Sequence, residues 1–193
     1  MTSWSGDAES KPAPGPLARI QALVNTIELP DGSDRLAGPA DAAPFLVDNA
    51  LIGTGATPTA AELALLRDVR EALRALLIHN SGGPPPAPEA LQTLRSVAAA
   101  GAAQADVAAD GQVQLRAAGD SVAERLVELL LVMRDAQRDG TWGRLKACAN
   151  AECTWAFYDR SRNRGGSWCD MSDCGNKIKN REFRARRRAA GER

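Results

Sequence analysis

Cysteine is absent from most of this chain. All four cysteines lie within a window of 27 residues near the C-terminus, at Cys148, Cys153, Cys169 and Cys174. Histidine is scarcer still, since His79 is the only one, and aromatic residues make up 4% of the 193 residues. A histidine-dependent active site would have to use His79, which ends a predicted helix and has no nucleophile pattern beside it. The sequence therefore predicts that the protein is not an enzyme.

Long apolar runs and a secretory leader are also missing. No stretch approaches the roughly 18 apolar residues of a membrane span. Residues 1–16 (MTSWSGDAESKPAPGP) lack a cationic start followed by an apolar run. These absences predict a cytoplasmic protein without membrane contact. Thiols stay reduced in the cytoplasm, which disfavours the alternative reading of the four cysteines as two disulfides.

The cysteines that are present form two C-x4-C pairs separated by 15 residues. Two close pairs joined by a longer loop can place four sulfurs at the corners of one tetrahedron, which is the ligand set that zinc favours. The sequence thus predicts one structural zinc ion bound by Cys148, Cys153, Cys169 and Cys174. Iron–sulfur ligation is a minor alternative, because the spacing matches neither of two common ferredoxin patterns. Four thiolates leave no open position, so such a site would not activate water.

Charge and aromatic residues divide unevenly along the chain. Residues 1–140 carry 11 Lys/Arg and 18 Asp/Glu, a net charge of −7, whereas residues 141–193 carry 13 and 6, a net charge of +7. Six of the eight aromatic residues also follow residue 140. We expect the rings nearest the cysteines to form a small core around the metal. A basic segment on an acidic body predicts an anionic partner.

The basic residues near the cysteines form two groups. Three arginines alternate in the loop between the cysteine pairs, where their guanidinium groups suit phosphate oxygens. After the last cysteine, a helix with one basic face is predicted from cations spaced 4, 3 and 4 apart, which suits DNA. The plainer alternatives are a solvated loop and a cationic tail of weak, nonspecific affinity. The candidate nucleic-acid contacts are Arg160, Arg162, Arg164, Lys177, Asn180, Arg181, Arg184, Arg187 and Arg188.

The first 140 residues are predicted to be mainly α-helical. Residues 1–15 are polar and are expected to be disordered, and residues 16–140 to form a helical domain. Thr59/Glu62 and Ser121/Glu124 have the spacing of helix capping boxes. The predicted helices cover residues 17–28, 42–51, 60–78, 88–99 and 122–138.

Residues 103–117 predict a β-hairpin packed on these helices. A three-residue loop at residues 109–111 would place Val107 opposite Val113, with Gly111 in the left-handed region, and would gather the apolar side chains on one face. In the first helix, Asn25 and Thr26 are polar next to an apolar face. They are candidates for lining a ligand pocket, although such a pair more often satisfies local backbone groups or faces solvent.

The cysteine segment resembles a known family. Its two C-x4-C pairs, Trp155, the SRNR run at residues 161–164, the Trp-Cys pair at 168–169 and the Cys-Gly-Asn run at 174–176 are similar to the CGNR zinc finger of bacterial regulators. The resemblance implies a zinc-finger domain at residues 141–190, with the four cysteines as zinc ligands and with DNA as partner. The fourth letter of the motif is Lys177 here, which keeps the charge of the family's arginine but loses its bidentate fork.

The preceding part resembles the ABATE domain, which is associated with stress-induced transcription regulation. The resemblance rests on residues 23–26, residues 34–36 and the Leu/Arg-rich helix at 62–78. It implies a sensory or partner-binding role, with no assigned ligand. We expect this domain to bind a small molecule or a protein, or to form a homodimer. The sequence thus predicts a zinc-containing, DNA-binding transcription regulator. The alternative is a protein-interaction or RNA-binding zinc module without sequence-specific DNA contact.

Overall fold

The structure, a computed structural model, describes residues 9–30 and 32–191. Its helices are α1 (Leu17–Val24), α2 (Pro39–Asp48), α3 (Ala60–Asn80), α4 (Pro88–Ala100), α5 (Val122–Arg138) and α6 (Asn176–Gly191). Its antiparallel strand pairs are β1 (Ile27–Glu28) with β2 (Ser33–Asp34), β3 (Ala103–Val107) with β4 (Val113–Ala117), and β5 (Leu145–Ala147) with β6 (Ala156–Tyr158). The predicted class is confirmed: mainly α, with a small hairpin, a cysteine module and a basic C-terminal helix.

Local sequence signals set the starts of the two longest helices in the body. Thr59 accepts a hydrogen bond from the backbone N–H of Glu62, and the Glu62 carboxylate accepts one from the N–H of Thr59, so the predicted capping box is present at the start of α3. Ser121 and Glu124 repeat this arrangement at the start of α5. Each pair satisfies backbone donors that the first turn of a helix leaves unpaired.

Helix α1 is shorter than predicted. It ends at Val24, and Ile27, which the periodicity places on the helix, lies in β1 instead. The hydroxyl of Thr26 donates to the carbonyl of Leu23 at 2.8 Å. The side chain of Asn25 turns to a distant strand, β6. Polar side chains that bond the backbone in this way compete with helix continuation, and a spacing pattern cannot register that competition.

The predicted register of the β3–β4 hairpin is confirmed. Val107 pairs with Val113, Ala108 donates to the carbonyl of Gln112, and Gly111 has φ +81° in the three-residue loop. The hairpin lies beside α5, as predicted, but the apolar side chains at its tip remain exposed. Val107 and Val113 are 66% and 70% exposed. Successive side chains of a strand point to opposite faces, so one face of this hairpin consists only of apolar residues. These are Ala103, Ala105, Val107, Val113, Leu115 and Ala117.

One hydrophobic core runs through the helical body and into the cysteine module. Side chains of α1, α3 and α5 form most of it, but Leu145 and Ala147 of β5 and Ala156 and Tyr158 of β6 belong to the same cluster. The module therefore rests on the body through its own hairpin. Within residues 9–30 and 32–191, no helix has both the length and the apolar content needed to cross a bilayer.

The predicted disorder of residues 1–15 needs correction for its second half, while residues 1–8 lie outside the described residues. Residues 9–15, here called the N-terminal segment, run across the junction between body and module. The backbone carbonyl of Lys11 accepts a hydrogen bond from Tyr158, and Ser10 donates to the carbonyl of Cys169. Ala13 is buried and donates to the Gln21 side chain. A polar composition does not reveal such contacts, because their partners are far away in sequence.

Candidate metal centre and nucleic-acid interface

The first two cysteines lie on a tight turn between β5 and β6. Cys148 directly follows β5, and its N–H donates to the carbonyl of Trp155 at 2.9 Å. Asn150 closes the turn, since its carbonyl accepts from the N–H of Cys153 at 2.9 Å. Thr154 then takes a left-handed conformation, with φ +48°, which reverses the chain into β6. Both sulfurs are thus held on the same end of a short hairpin.

The last two cysteines flank a turn that leads into α6. The Asp170 carboxylate accepts hydrogen bonds from the N–H groups of Ser172 and Asp173, which starts a π-helical turn at Met171–Gly175. That turn carries Cys174 and continues directly into α6. A methyl group on Gly175 would come within 2.5 Å of the Met171 sulfur and 3.2 Å of the Trp168 ring, so the backbone approaches its neighbours closely here.

The turns bring the four predicted metal ligands together. All four sulfurs lie within 4.8 Å of one another, and the Cys153–Cys169 and Cys169–Cys174 separations are 3.7 and 3.8 Å. A tetrahedron with metal–sulfur bonds of about 2.3 Å has edges of about 3.8 Å, so the sulfurs fit zinc. No disulfide joins these four cysteines. The alternative of two disulfides is therefore not what the fold forms.

Because the four sulfurs lie so close together, their pKa values shift in opposite directions. A hydrogen bond from the Cys153 thiol lowers the pKa of Cys148 to about 2, and the same contact raises the pKa of Cys153 to about 12. Hydrogen bonds with Cys148 and Cys153 raise the pKa of Cys169 far above its ordinary value. A divalent cation at the centre would favour the thiolate form of all four, because it offsets their mutual repulsion.

A small aromatic core surrounds the cysteines, as the sequence predicts. Phe157 is buried among Cys148, Cys169 and Cys174, with Trp155 and Trp168 packed against the same cluster. The cluster contains few apolar side chains. A metal held by the four cysteines would therefore add to the stability of this segment.

A buried ion pair shapes the loop that carries the arginines. The Lys146 ammonium lies 2.8 Å from the Asp159 carboxylate and also donates to the carbonyl of Gly166 at 3.2 Å. Asp159 accepts from the N–H groups of Ser161 and Gly166. Burial acts to raise the pKa of Asp159, but the hydrogen bonds from Lys146, Ser161 and Gly166 outweigh burial and hold that pKa well below its usual range. The loop backbone is thus fixed from within.

The fixed loop turns its cations outward. Arg160, Arg162 and Arg164 are all exposed, and Arg164 adopts a left-handed φ of +53°. The guanidinium of Arg160 donates to the carbonyl of Pro12 in the N-terminal segment at 3.0 Å. Arg162 and Arg164 therefore present the more accessible charges of this loop.

The predicted basic face of α6 is present. Five side chains line one shallow surface groove of about 350 Å³: Lys177, Asn180, Arg181, Arg184 and Arg188. Two of the cations have acidic neighbours, with Lys177 at 2.8 Å from Asp173 and Arg181 at 3.4 Å from Glu152. All four of these paired side chains are well exposed.

The two large apolar side chains of α6, Ile178 and Phe183, differ in their exposure. Ile178 is buried. Phe183 is instead 53% exposed, and the Arg187 guanidinium lies 5.9 Å from its ring centre. At 100° per residue, Phe183 and Ile178 point in different directions, so a helix anchored through Ile178 cannot bury both.

The structure assigns Asn25 and Thr26 to the junction and not to an open cavity. Both are buried. Asn25 donates to the carbonyl of Ala156 at 3.0 Å and accepts from its N–H at 2.7 Å, which joins α1 to β6. Thr26 accepts from Arg70. Their polar atoms are engaged within the chain, so the ligand-pocket interpretation finds no support here.

Other polar residues that hold the module to the body gave no clear signal in the sequence. At the end of α3, Asn80 donates to the carbonyls of Trp142 and Leu145, and Ser81 bonds both backbone groups of Ala147. The only hint is that polar side chains at a helix end often bond a neighbouring backbone.

Arg74 and Glu9 make further bridges across the junction. The buried Arg74 donates to the carbonyls of Val24 and Thr154. Glu9 accepts from Asn25 and from the Trp155 indole, and burial raises its pKa. Arg74 also pairs with Glu71 one turn earlier, at 3.0 Å. An arginine on the apolar stripe of α3 was the available sequence signal of a buried polar contact.

Together these elements define a class of protein: a helical body joined through a shared core and hydrogen bonds to a four-cysteine module that ends in a basic helix. The family model for ABATE, described as a putative stress-induced transcription regulator, matches residues 17–138, and the model for the CGNR zinc finger matches residues 144–187. The chain belongs to the ABATE family and carries a CGNR zinc finger after that domain. A search of curated proteins gave no match.

Proposed function

We propose that this protein is a cytoplasmic, zinc-containing transcription regulator that binds duplex DNA through α6 and the arginine loop. The observation that carries the proposal is the direct continuity between the cysteine cluster and the basic helix. Cys174 lies two residues before α6, so the helix that presents the cations starts at a metal ligand. The family description supports a regulatory role.

One zinc ion per chain is proposed, held by Cys148, Cys153, Cys169 and Cys174. Four sulfur ligands complete its tetrahedron and leave no position for water or substrate. The ion therefore has a structural role, and the protein is proposed not to be an enzyme. Its contribution is to fix the direction of α6 relative to the body.

In the proposed complex, DNA phosphates would replace the carboxylates that pair with the cations of α6. The acidic neighbours of Lys177 and Arg181 form exposed ion pairs, which contribute little to stability. DNA phosphates can take the place of these carboxylates at little cost and release condensed counterions as they do so. The arginine loop and α6 both belong to the module, so they can approach one duplex together. The nine predicted contact residues remain candidates for this surface.

Reversing two charges on the groove should abolish DNA binding. We expect the Arg181→Glu/Arg184→Glu variant to show no measurable binding to duplex DNA at about 50 mM salt, because two attractive phosphate contacts become repulsive. The wild-type affinity should fall steeply with salt, with a log–log slope near −0.9 per phosphate contacted. Fluorescence anisotropy with a labelled duplex measures both.

The matched control is Arg95→Glu/Arg116→Glu, which makes the same change in net charge at exposed positions on α4 and β4. This control should bind nearly as the wild type does, and all three proteins should contain equal zinc. Equal loss in the control would show a general charge effect. Undisturbed binding in the α6 variant would remove α6 from the interface.

RNA or an acidic protein surface is the alternative partner for the module. The exposed Phe183 beside the basic face favours this alternative, since unpaired bases stack on aromatic rings. Competition between duplex DNA and single-stranded RNA of equal length separates the two. The proposed function expects the duplex to compete better.

The helical domain is proposed to pair with a second copy of the chain through the apolar face of the hairpin. That face carries no charge, so an uncharged surface is its natural complement. It is also graded in size, with Val107 and Val113 at the tip and Ala103 and Ala117 at the base. A two-fold axis would set each tip on the partner's base and match large side chains with small ones.

A lysine at the tip of this face should weaken the dimer. We expect Val113→Lys to shift the chain toward monomer, because the ammonium would be desolvated in the interface. Gln114→Lys is the matched control, since Gln114 lies on the polar face of the same strand. Sedimentation equilibrium gives the mass. A wild type that stays monomeric at roughly 100 μM, or a Val113→Lys protein that pairs as well as Gln114→Lys, would contradict the proposed interface.

A further inference from the structure

Two uncharged side chains, Asn180 and Phe183, lie on one flank of α6. Asn180 is an exposed amide among cations, and Phe183 is an exposed phenyl ring one turn later. Neither side chain carries a charge that could attract a phosphate. An aromatic ring that is 53% exposed on so polar a helix also loses the free energy that burial would give.

The two residues occupy one side of the basic face. At 100° per residue, Lys177, Arg181, Arg184 and Arg188 fall within an arc of about 60°. Asn180 lies about 40° beyond one edge of this arc, and Phe183 is about 60° further round in the same direction. Asn180 reaches the groove of the cationic side chains, whereas Phe183 is close to Arg187. The helix thus carries a basic arc and, beside it, a flank on which Arg187 lies between the uncharged Asn180 and Phe183 in angle.

Such a division suits a helix in the major groove. Side chains near the groove wall meet phosphates, while those turned toward the floor meet base edges. Asparagine bonds adenine through N6 and N7, and a phenyl ring contacts the C5-methyl group of thymine. Adenine and the thymine methyl both occur in A·T pairs. Neighbouring side chains one turn apart can reach the same or adjacent base pairs.

We infer that Asn180 and Phe183 select A·T-containing sites, with the amide of Asn180 on adenine and the ring of Phe183 on a thymine methyl group. This inference rests on the proposed binding of duplex DNA. It adds a preference for A·T pairs, which contacts of the cations with phosphates or with guanine do not give. Lys177, Arg181, Arg184 and Arg188 set affinity, and the neutral pair sets specificity.

Replacing thymine by uracil tests the contact of Phe183. A preferred duplex is first selected from a random pool by the zinc-loaded full-length protein, and then each thymine is replaced by uracil, which removes only the methyl group. We expect at least one replacement to weaken wild-type binding about fourfold. The Phe183→Ala protein should show no difference between the two duplexes. Asn180→Ala should lose about tenfold at one adenine and leave the uracil effect in place.

Arg184→Ala is the matched control on the same helix. It should bind all duplexes more weakly and lower the salt slope by about 0.9, with the A·T preference retained. The neutral variants should keep the wild-type salt slope. Equal zinc content and far-ultraviolet circular dichroism establish that each variant is folded.

The binding results distinguish a failure of A·T selection from a failure of duplex DNA binding itself. Salt-dependent duplex binding with no A·T preference and no effect of uracil would overturn the inference and leave the proposed function standing. Loss of single-stranded RNA binding in Phe183→Ala, with unchanged duplex binding, would also overturn it. No duplex binding by the wild type at about 50 mM salt would remove both.

Discussion

Cys174→Ser should abolish zinc binding and unfold the cysteine module. Serine is a poor zinc ligand, and the loss of one of four thiolates opens the tetrahedron. Structural zinc contributes about 10–16 kcal/mol to the folding of small zinc-finger peptides at neutral pH. The core around the cysteines contains Phe157, Trp155 and Trp168, which cannot replace that contribution.

The Cys174→Ser substitution should weaken DNA binding and leave the helical body folded. Cys174 leads directly into α6, so the basic face loses its anchor and DNA affinity falls to that of a cationic tail. The helices of the body should persist, since α1, α3 and α5 form most of the main core. Met171→Ser is the matched control, because Met171 lies on the same turn and is exposed.

Metal content per chain and limited proteolysis measure these effects. The expected pattern for Cys174→Ser is a metal-free chain that is cleaved after residue 140 and resistant before it. The Met171→Ser control should bind zinc as the wild type does. A Cys174→Ser protein that keeps a full equivalent of zinc and resists cleavage would contradict the assigned ligand set.

Asp159→Ala should cause a loss of stability that is second in size to that of Cys174→Ser. The carboxylate and the Lys146 ammonium are 3% and 7% exposed, so removal of one leaves the other buried without a counter-charge. Breaking such a pair costs about 3–5 kcal/mol. The carboxylate also accepts from Ser161 and Gly166, so the arginine loop loses two fixed points at the same time. Chemical denaturation at neutral pH measures the loss.

Asp173→Ala is the control, since it removes an exposed carboxylate whose partner, Lys177, is also exposed. Exposed pairs contribute little, so this control should unfold close to the wild-type midpoint. Equal effects of the two substitutions would show that burial of the Lys146–Asp159 pair is not what stabilises the loop.

The advantage of the wild type over Asp159→Ala should depend on pH. The folded-state pKa of Asp159 is depressed, whereas in the unfolded chain it is about 3.9. The stabilisation is therefore fully present above about pH 4 and is lost as the pH falls toward the folded-state pKa. The difference in free energy of unfolding between the two proteins should be constant from pH 5 to pH 7 and shrink below pH 4.

Short-range signals in the sequence predicted much of the fold. The capping boxes at Thr59 and Ser121 depend on residues three apart, and the register of the hairpin depends on residues 107–113, so the pattern contains all the partners. The cysteine cluster was equally readable, because metal geometry restricts which spacings can meet. The basic face of α6 follows from helical periodicity alone.

Contacts between distant segments could not be predicted in this way. Asn25 bonds Ala156, which is 131 residues away, and the residues around it suggest only a polar end of a helix. Ser10 reaches Cys169 across 159 residues, so a segment of low complexity becomes ordered by its partners. The exposed apolar face of the hairpin is the reverse case. Its pattern predicts burial, yet within residues 9–30 and 32–191 the side chains of Val107 and Val113 are left exposed.

X-ray absorption at the zinc edge, together with metal content per chain, tests the metal centre most directly. We expect one zinc per chain, with four sulfur neighbours at about 2.3 Å and no nitrogen or oxygen ligand. A folded protein without metal would contradict the account. So would a first shell that contains nitrogen or oxygen, or a mass spectrum that shows the four cysteines joined as disulfides.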